Sequence, residues 1–138
     1  MEFYDKIKVV KKMREKLQEL LNNSYAKYSN YRVSAICVMN DGKEFYGVNV
    51  ENASYGATIC AERVAITSAI AAGYKKEDFK ELHIMTDSEK LGMPCFVCRQ
   101  VISEFFDEID KVYVYSRNKM KSFLVSEICP YPFNEDNL

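Results

Sequence analysis

Apolar residues recur in steps of three and four at Phe3, Ile7, Val10, Met13, Leu17, Leu20 and Leu21. That period predicts one amphipathic helix over 3–21. Lys6, Lys8, Lys11, Lys12, Arg14 and Lys16 fall opposite the apolar stripe and read as a solvated helix face. The pattern stops in NNSYAKYSNYR (22–32), a polar loop. Two strand-like runs follow, VSAICVM (33–39) and EFYGVNVE (44–51), on either side of Asn40-Asp41-Gly42-Lys43. Asp-Gly supplies the positive φ angles of a tight turn, so the two runs are expected to pair as an antiparallel hairpin.

A second loop, NASYGATI (52–59), leads into CAERVAITSAIAAG (60–73), where Ala and Ile favour helix and Gly73 is a natural stop. ELHIMT (81–86) reads as a buried strand, CFVCRQVISEFF (95–106) as a helix and KVYVYS (111–116) as another strand. SFLVSEI (122–128) fits a last strand or a short helix equally well. Helix–strand–helix–strand in the middle of the chain favours parallel pairing through right-handed crossovers. The expected fold is therefore α/β, a three-layer α-β-α sandwich around a mixed five-stranded sheet. With no internal repeat and no linker, residues 1–138 are expected to form one domain.

Composition narrows the partners. A net charge of −1 over 138 residues leaves no footprint for a polyanion, so no nucleic-acid partner is expected. No apolar run approaches the ~20 residues of a membrane span, and the N-terminus lacks a secretory pattern. The expectation is a cytoplasmic protein that does not enter a membrane. Five cysteines, an odd number, argue against a disulfide framework and towards metal or catalysis.

Three of those cysteines, Cys60, Cys95 and Cys98, fall at the starts of the two internal helices. Free backbone N–H groups and the positive end of the helix dipole stabilise thiolates there. Cys95 and Cys98 can grip one metal ion from a single helical turn, and Cys60 can complete a triangle if the helix N-termini meet. A structural zinc site closes with four protein ligands, usually in two pairs, and no second pair exists. Cys37 lies mid-strand, Cys129 precedes Pro130, and the only histidine, His83, lies in a strand; all three read as packing residues. Three thiolates with one open position describe a catalytic zinc. Glu62, two residues after Cys60, can face that open position without ligating. The redox reading of Cys-x-x-Cys is weaker, since it leaves Cys60-Ala61-Glu62 unexplained.

CAER (60–63) together with PCFVCRQV (94–101) resembles the zinc-dependent cytidine deaminases, whose broader signature is His/Cys-x-Glu followed by Pro-Cys-x-x-Cys. GVNVENASYG (47–56) is similar to the nucleoside-binding segment of the small homotetrameric members. YSNYRVSA (28–35) and CPYPFNEDNL (129–138) match more loosely. The resemblance implies hydrolytic deamination of cytidine and 2'-deoxycytidine in pyrimidine salvage, by a homotetramer with one Zn²⁺ per subunit. Cys60, Cys95 and Cys98 would hold the zinc, and Glu62 would move protons between water, N3 and the departing amine. Arg63 would offset the thiolate charge by hydrogen-bonding ligand sulfurs. Asn49 and Glu51 would bind ribose hydroxyls, Tyr31 would stack beside the pyrimidine, and Ala61, Tyr55 and Phe133 would complete the substrate site near a subunit boundary.

The chain departs from the family pattern at Phe96, where a glycine is usual, and at Arg32 and Ser34, near the expected rim of the site. Phe96 is expected to pack on a neighbouring helix or subunit. Deamination of another cytosine compound, such as a blasticidin-like nucleoside, is an alternative. So is a non-catalytic zinc-binding protein of the same fold.

Overall fold

The computed structural model describes residues 2–138. The first helix, α1, spans Phe3–Leu21, and Met13, Leu17 and Leu21 on its apolar stripe are buried. Strands β1 (Val33–Met39) and β2 (Glu44–Val48) form the expected antiparallel hairpin, with Gly42 at φ +88° in its turn. β2 is shorter than the predicted run 44–51. Beyond Val48 the backbone leaves β1, and Val50 instead bridges Tyr25 and Ile59. Helix α2 (Ala61–Ala71) follows, and Gly73, at φ +100°, ends it. Then come β3 (Phe79–Thr86), α3 (Phe96–Phe105) and β4 (Lys111–Tyr115). The ambiguous run 122–128 contains both forms, because β5 (Met120–Leu124) passes directly into a one-turn helix, α4 (Val125–Ile128).

The sheet order is β2-β1-β3-β4-β5. β1 is antiparallel to both β2 and β3, whereas β3 and β4 are parallel. β2 and β3 therefore point the same way, and the helices that follow them, α2 and α3, start at the same edge of the sheet. That topology brings two helix N-termini, sixty and ninety-five residues into the chain, to one place.

Two cores flank the sheet, as a three-layer sandwich requires. On one face Met13, Leu17 and Leu21 of α1 pack against Ile36, Met85 and Tyr115. On the other, Ala61, Ala65, Ile66 and Ala69 of α2 and Ile102 of α3 cover Ala35, Cys37, Leu82 and Ile84. Alanines at four-residue spacing form a low ridge along α2, and Gly47 of β2 lies beneath it. A Cβ at Gly47 would stand 2.2 Å from Ala61 O and 2.6 Å from Ala65 N. The first turn of α2 thus rests directly on the backbone of β2, which fixes the depth of Cys60 and Glu62 relative to the sheet.

Candidate metal centre and substrate cavity

Cys60 is the N-cap of α2, Cys95 is the N-cap of α3, and Cys98 lies in the first turn of α3. Their sulfurs all lie within 4.8 Å of one another, and Cys60 Sγ is 3.9 Å from Cys95 Sγ. Tetrahedral zinc with Zn–S bonds of about 2.3 Å spaces its sulfurs about 3.8 Å apart. The spacing and the donor set both fit zinc. Cys98 forms the buried floor of the triangle and Cys95 its exposed side. Among the described residues no histidine or carboxylate joins this group, so these three cysteines are the residues that would hold the metal.

Without metal, one thiolate is favoured, on Cys60, while a hydrogen bond to Cys60 and burial push the Cys98 thiol far up. Hydrogen bonding by Cys98, and then by Arg63 and Cys95, brings the Cys60 thiol down to about 5 against the opposing effect of burial. Arg63 Nη2 donates to Cys60 Sγ at 3.6 Å. Three thiolates and Zn²⁺ would sum to −1, and a guanidinium bonded to one of the sulfurs could withdraw part of that charge. Glu62 is only 4% exposed. Burial pushes its carboxyl above the usual carboxylate range, and the adjacent Cys60 charge adds to the effect.

Glu62, Cys60, Cys95 and Ala61 line a cavity of about 150 Å³ together with Tyr31, Asn49, Thr58, Thr86 and Gly92. Tyr31, Asn49 and Ala61 thus converge with the metal cluster. Glu51 and Tyr55 do not line this cavity; they belong to an adjoining groove with Tyr28, Ser29 and Asn52. Thr58 lines both spaces, so the groove continues the cavity outward. Phe133 lies outside both. Its carbonyl accepts from Gln100 Nε2 of α3 at 2.7 Å, and its ring is largely exposed.

Asn49 and Glu51 are also building residues of the site. Asn49 Oδ1 accepts from Ser24 Oγ and from Val33 N (2.9 Å), and Asn49 Nδ2 donates to Tyr31 O at 2.7 Å. Glu51 Oε1 accepts from the backbone N–H groups of Tyr28 and Ser29, and Oε2 from Ser29 Oγ. The Ser29 hydroxyl bond holds the Glu51 carboxyl below its usual range. Together the two side chains staple residues 24–33 over the cavity. That leaves Asn49 one N–H and Glu51 Oε2 one lone pair, a donor and an acceptor that can grip a hydroxyl.

Cys37 and His83 pack, as their sequence positions suggest, whereas Cys129 is only half-buried. Cys37 is buried, and burial pushes its thiol far up. His83 is sandwiched on the α1 side of the sheet. Its Nδ1 is 2.8 Å from Tyr115 Oη, its Nε2 is 3.2 Å from Glu81, and its ring stacks on Tyr113.

Of the departures, Ser34 is not at the rim at all: its Oγ donates to Leu17 O beneath α1 at 2.9 Å. Arg32 pairs with Asp87, which Arg117 Nε also meets at 3.2 Å. Phe96 packs on no helix within the chain. It is 77% exposed, and the Arg99 guanidinium covers its ring at 4.4 Å from the centroid.

A family model for the cytidine and deoxycytidylate deaminase zinc-binding region matches residues 8–116. Similar curated proteins include a cytidine deaminase of Halalkalibacterium halodurans, 35% identical over 116 residues that make up 83% of this chain and 86% of that one. Another, from Mycoplasma genitalium, is 33% identical over 115 residues, 83% of this chain and 87% of its own. Among solved structures, a cytidine deaminase from Burkholderia pseudomallei superposes with a TM-score of 0.82 at 38% identity, covering 86% of this chain and 94% of that one.

Proposed function

The chain belongs to the cytidine and deoxycytidylate deaminase family, and we propose that it hydrolyses cytidine and 2'-deoxycytidine to uridine and 2'-deoxyuridine plus ammonia. The observation that carries this reading is a buried Glu62 lining the same cavity as Cys60 and Cys95, two members of a three-cysteine, zinc-compatible cluster. When bound, zinc supplies Lewis acidity that lowers the pKa of water from 15.7 to about 7.

The chain supplies the rest. Cys60, Cys95 and Cys98 hold the metal, and Arg63 keeps the sulfur charge in check. Glu62 accepts the proton that water gives up and passes it to N3 of the ring, so that C4 can take the oxygen. It then takes the second proton from the new C4 hydroxyl and delivers it to the 4-amino nitrogen, so that the C4–N bond breaks, C4=O forms and ammonia leaves. A carboxyl whose burial raises its proton affinity suits this two-way transfer. Tyr31 and Ala61 border the base, while Asn49 and Glu51 hold the sugar hydroxyl.

Ammonia release from cytidine, 2'-deoxycytidine and free cytosine tests the reading. The nucleosides should be the better substrates. Asn49→Ala should cost them about tenfold or more in kcat/KM beyond whatever it costs cytosine, roughly one lost hydrogen bond to the sugar, the cytosine loss measuring what release of the staples to Ser24, Val33 and Tyr31 does by itself. Equal losses on all three compounds would remove Asn49 from sugar recognition.

The protein acts as a homotetramer, with Tyr55 and Phe133 meeting a neighbouring subunit. Exposed Phe96 and Val97 on the first turn of α3, beside Phe133, support this assembly. A monomer in sedimentation velocity at micromolar concentration would refute it. Among the described residues no helix is long and apolar enough to cross a membrane; cytoplasmic pyrimidine salvage is the setting that goes with the proposed reaction.

A further inference from the structure

Among the described residues, two buried side-chain polar atoms have no hydrogen-bond partner, Arg63 Nε and Thr86 Oγ1. Arg63 sits behind the thiolates it serves. Thr86 lies apart from them, at the C-terminal end of β3. It is 1% exposed and lines the cavity that holds Glu62. Buried hydroxyls in folded proteins are nearly always satisfied, because an unpaired one loses its bonds to water without replacement. An unpaired hydroxyl facing a cavity is therefore a position that a ligand can complete.

The chain holds this hydroxyl in place from three sides. Val33 of β1 pairs with Thr86 across the sheet. The next residue, Asp87, is pinned by Arg32 and accepts no freedom from the loop, since its N–H also donates to Arg32 O at 3.2 Å. Gly92 closes the corner: a Cβ there would fall 2.2 Å from Tyr31 Oη and 2.5 Å from Thr86 Cγ2. Gly92 thus leaves room for two hydroxyls, those of Tyr31 and Thr86, side by side. The two side chains are near enough for their hydroxyls to interact, and both residues line the cavity.

We propose that Thr86 is a specificity-determining residue of the base pocket, its hydroxyl, backed by that of Tyr31, hydrogen-bonding a polar atom carried by the pyrimidine ring rather than by the sugar. This rests on the nucleoside deaminase reading above. Thr86 belongs to the enclosed part of the site with Glu62, Ile84 and Gly92. It is absent from the outer groove where Glu51 lies, although it shares its cavity with Asn49, so free cytosine, which has no sugar, is the compound that separates a base contact from a sugar contact. A site built around a hydrogen bond discriminates strongly against ligands that leave its polar group unpaired.

Thr86→Val keeps the branched shape and removes the hydroxyl. Its kcat/KM should fall about tenfold, by a similar factor for cytidine, 2'-deoxycytidine and free cytosine. Its Tm without ligand should stay equal or rise, because an unpaired buried group has been removed. Thr86→Ser should retain most of the activity. Tyr31→Phe should weaken the same compounds, and its effect should be less than additive with Thr86→Val in a double-mutant cycle.

Unchanged kcat/KM in Thr86→Val would overturn the proposal. A fall in Tm that parallels the activity loss would reduce Thr86 to a structural residue, and a loss confined to the nucleosides would move its contact to the sugar. The Tm shift induced by cytidine, measured alongside, separates this proposal from the deaminase reading. If the parent chain binds cytidine without releasing ammonia, deamination fails, and loss of the shift in Thr86→Val still supports the base contact. If the parent chain binds neither nucleoside nor base, both fail.

Discussion

Glu62→Gln should release ammonia from cytidine at least about 10³-fold more slowly than the parent chain, a loss within the range for removing a positioned general acid–base group. Gln preserves the shape of the side chain and can still donate and accept hydrogen bonds, but it cannot carry a proton between water, N3 and the amine. Zinc content should be unchanged, because the three sulfurs that fit the metal belong to other residues. Stability should hold or rise, since the substitution removes an ionisable group that is 4% exposed. Metal analysis, turnover and thermal unfolding on the same sample separate these effects. A variant that keeps full turnover would remove Glu62 from the chemistry. One that loses zinc would instead make Glu62 part of the metal's support.

Gly47→Ala should be the most damaging of the glycine-to-alanine changes, because here alone the added carbon meets backbone atoms. The added carbon would meet backbone atoms, Ala61 O and Ala65 N, at 2.2 and 2.6 Å. No side-chain rotation can relieve that contact, so α2 must lift from β2. Overpacking of this kind costs about 3 kcal/mol, which for a chain of this size lowers Tm by about 10 °C. The lift would also carry Cys60 and Glu62 away from Cys95 and Cys98, so zinc affinity should fall with stability. Gly56→Ala is the control, since nothing lies within 4 Å of its added carbon. A Tm for Gly47→Ala within a degree or two of the parent would mean that α2 does not rest on β2 in solution.

The parts of this molecule that are legible in its sequence are those written over short spans. The helix 3–21 follows from a 3.6-residue period, and the hairpin from Asp41-Gly42. The metal triangle follows from three cysteines at helix starts, once the topology turns β2 and β3 the same way. Gly47 is silent in sequence because its role is not conformational; its φ is ordinary, and the need for a missing side chain arises only when α2 lands on it. Thr86 is equally silent. Its significance depends on Tyr31 and Gly92, which reach the same corner from fifty-five residues upstream and six downstream. Asn49 and Glu51 are legible as a polar pair, but not as staples for residues 24–33, because those bonds form only when the loop folds back over the strand end. Ser34 reads as a rim residue by linear proximity to Tyr31. Alternation along β1 instead turns it to the α1 face.

The most direct test of the central claim is to load the protein with zinc, incubate it with cytidine, and count ammonia and uridine together. One ammonia for each uridine is the expected result, at a rate that collapses in Glu62→Gln. Zinc-loaded protein that leaves cytidine unchanged contradicts it.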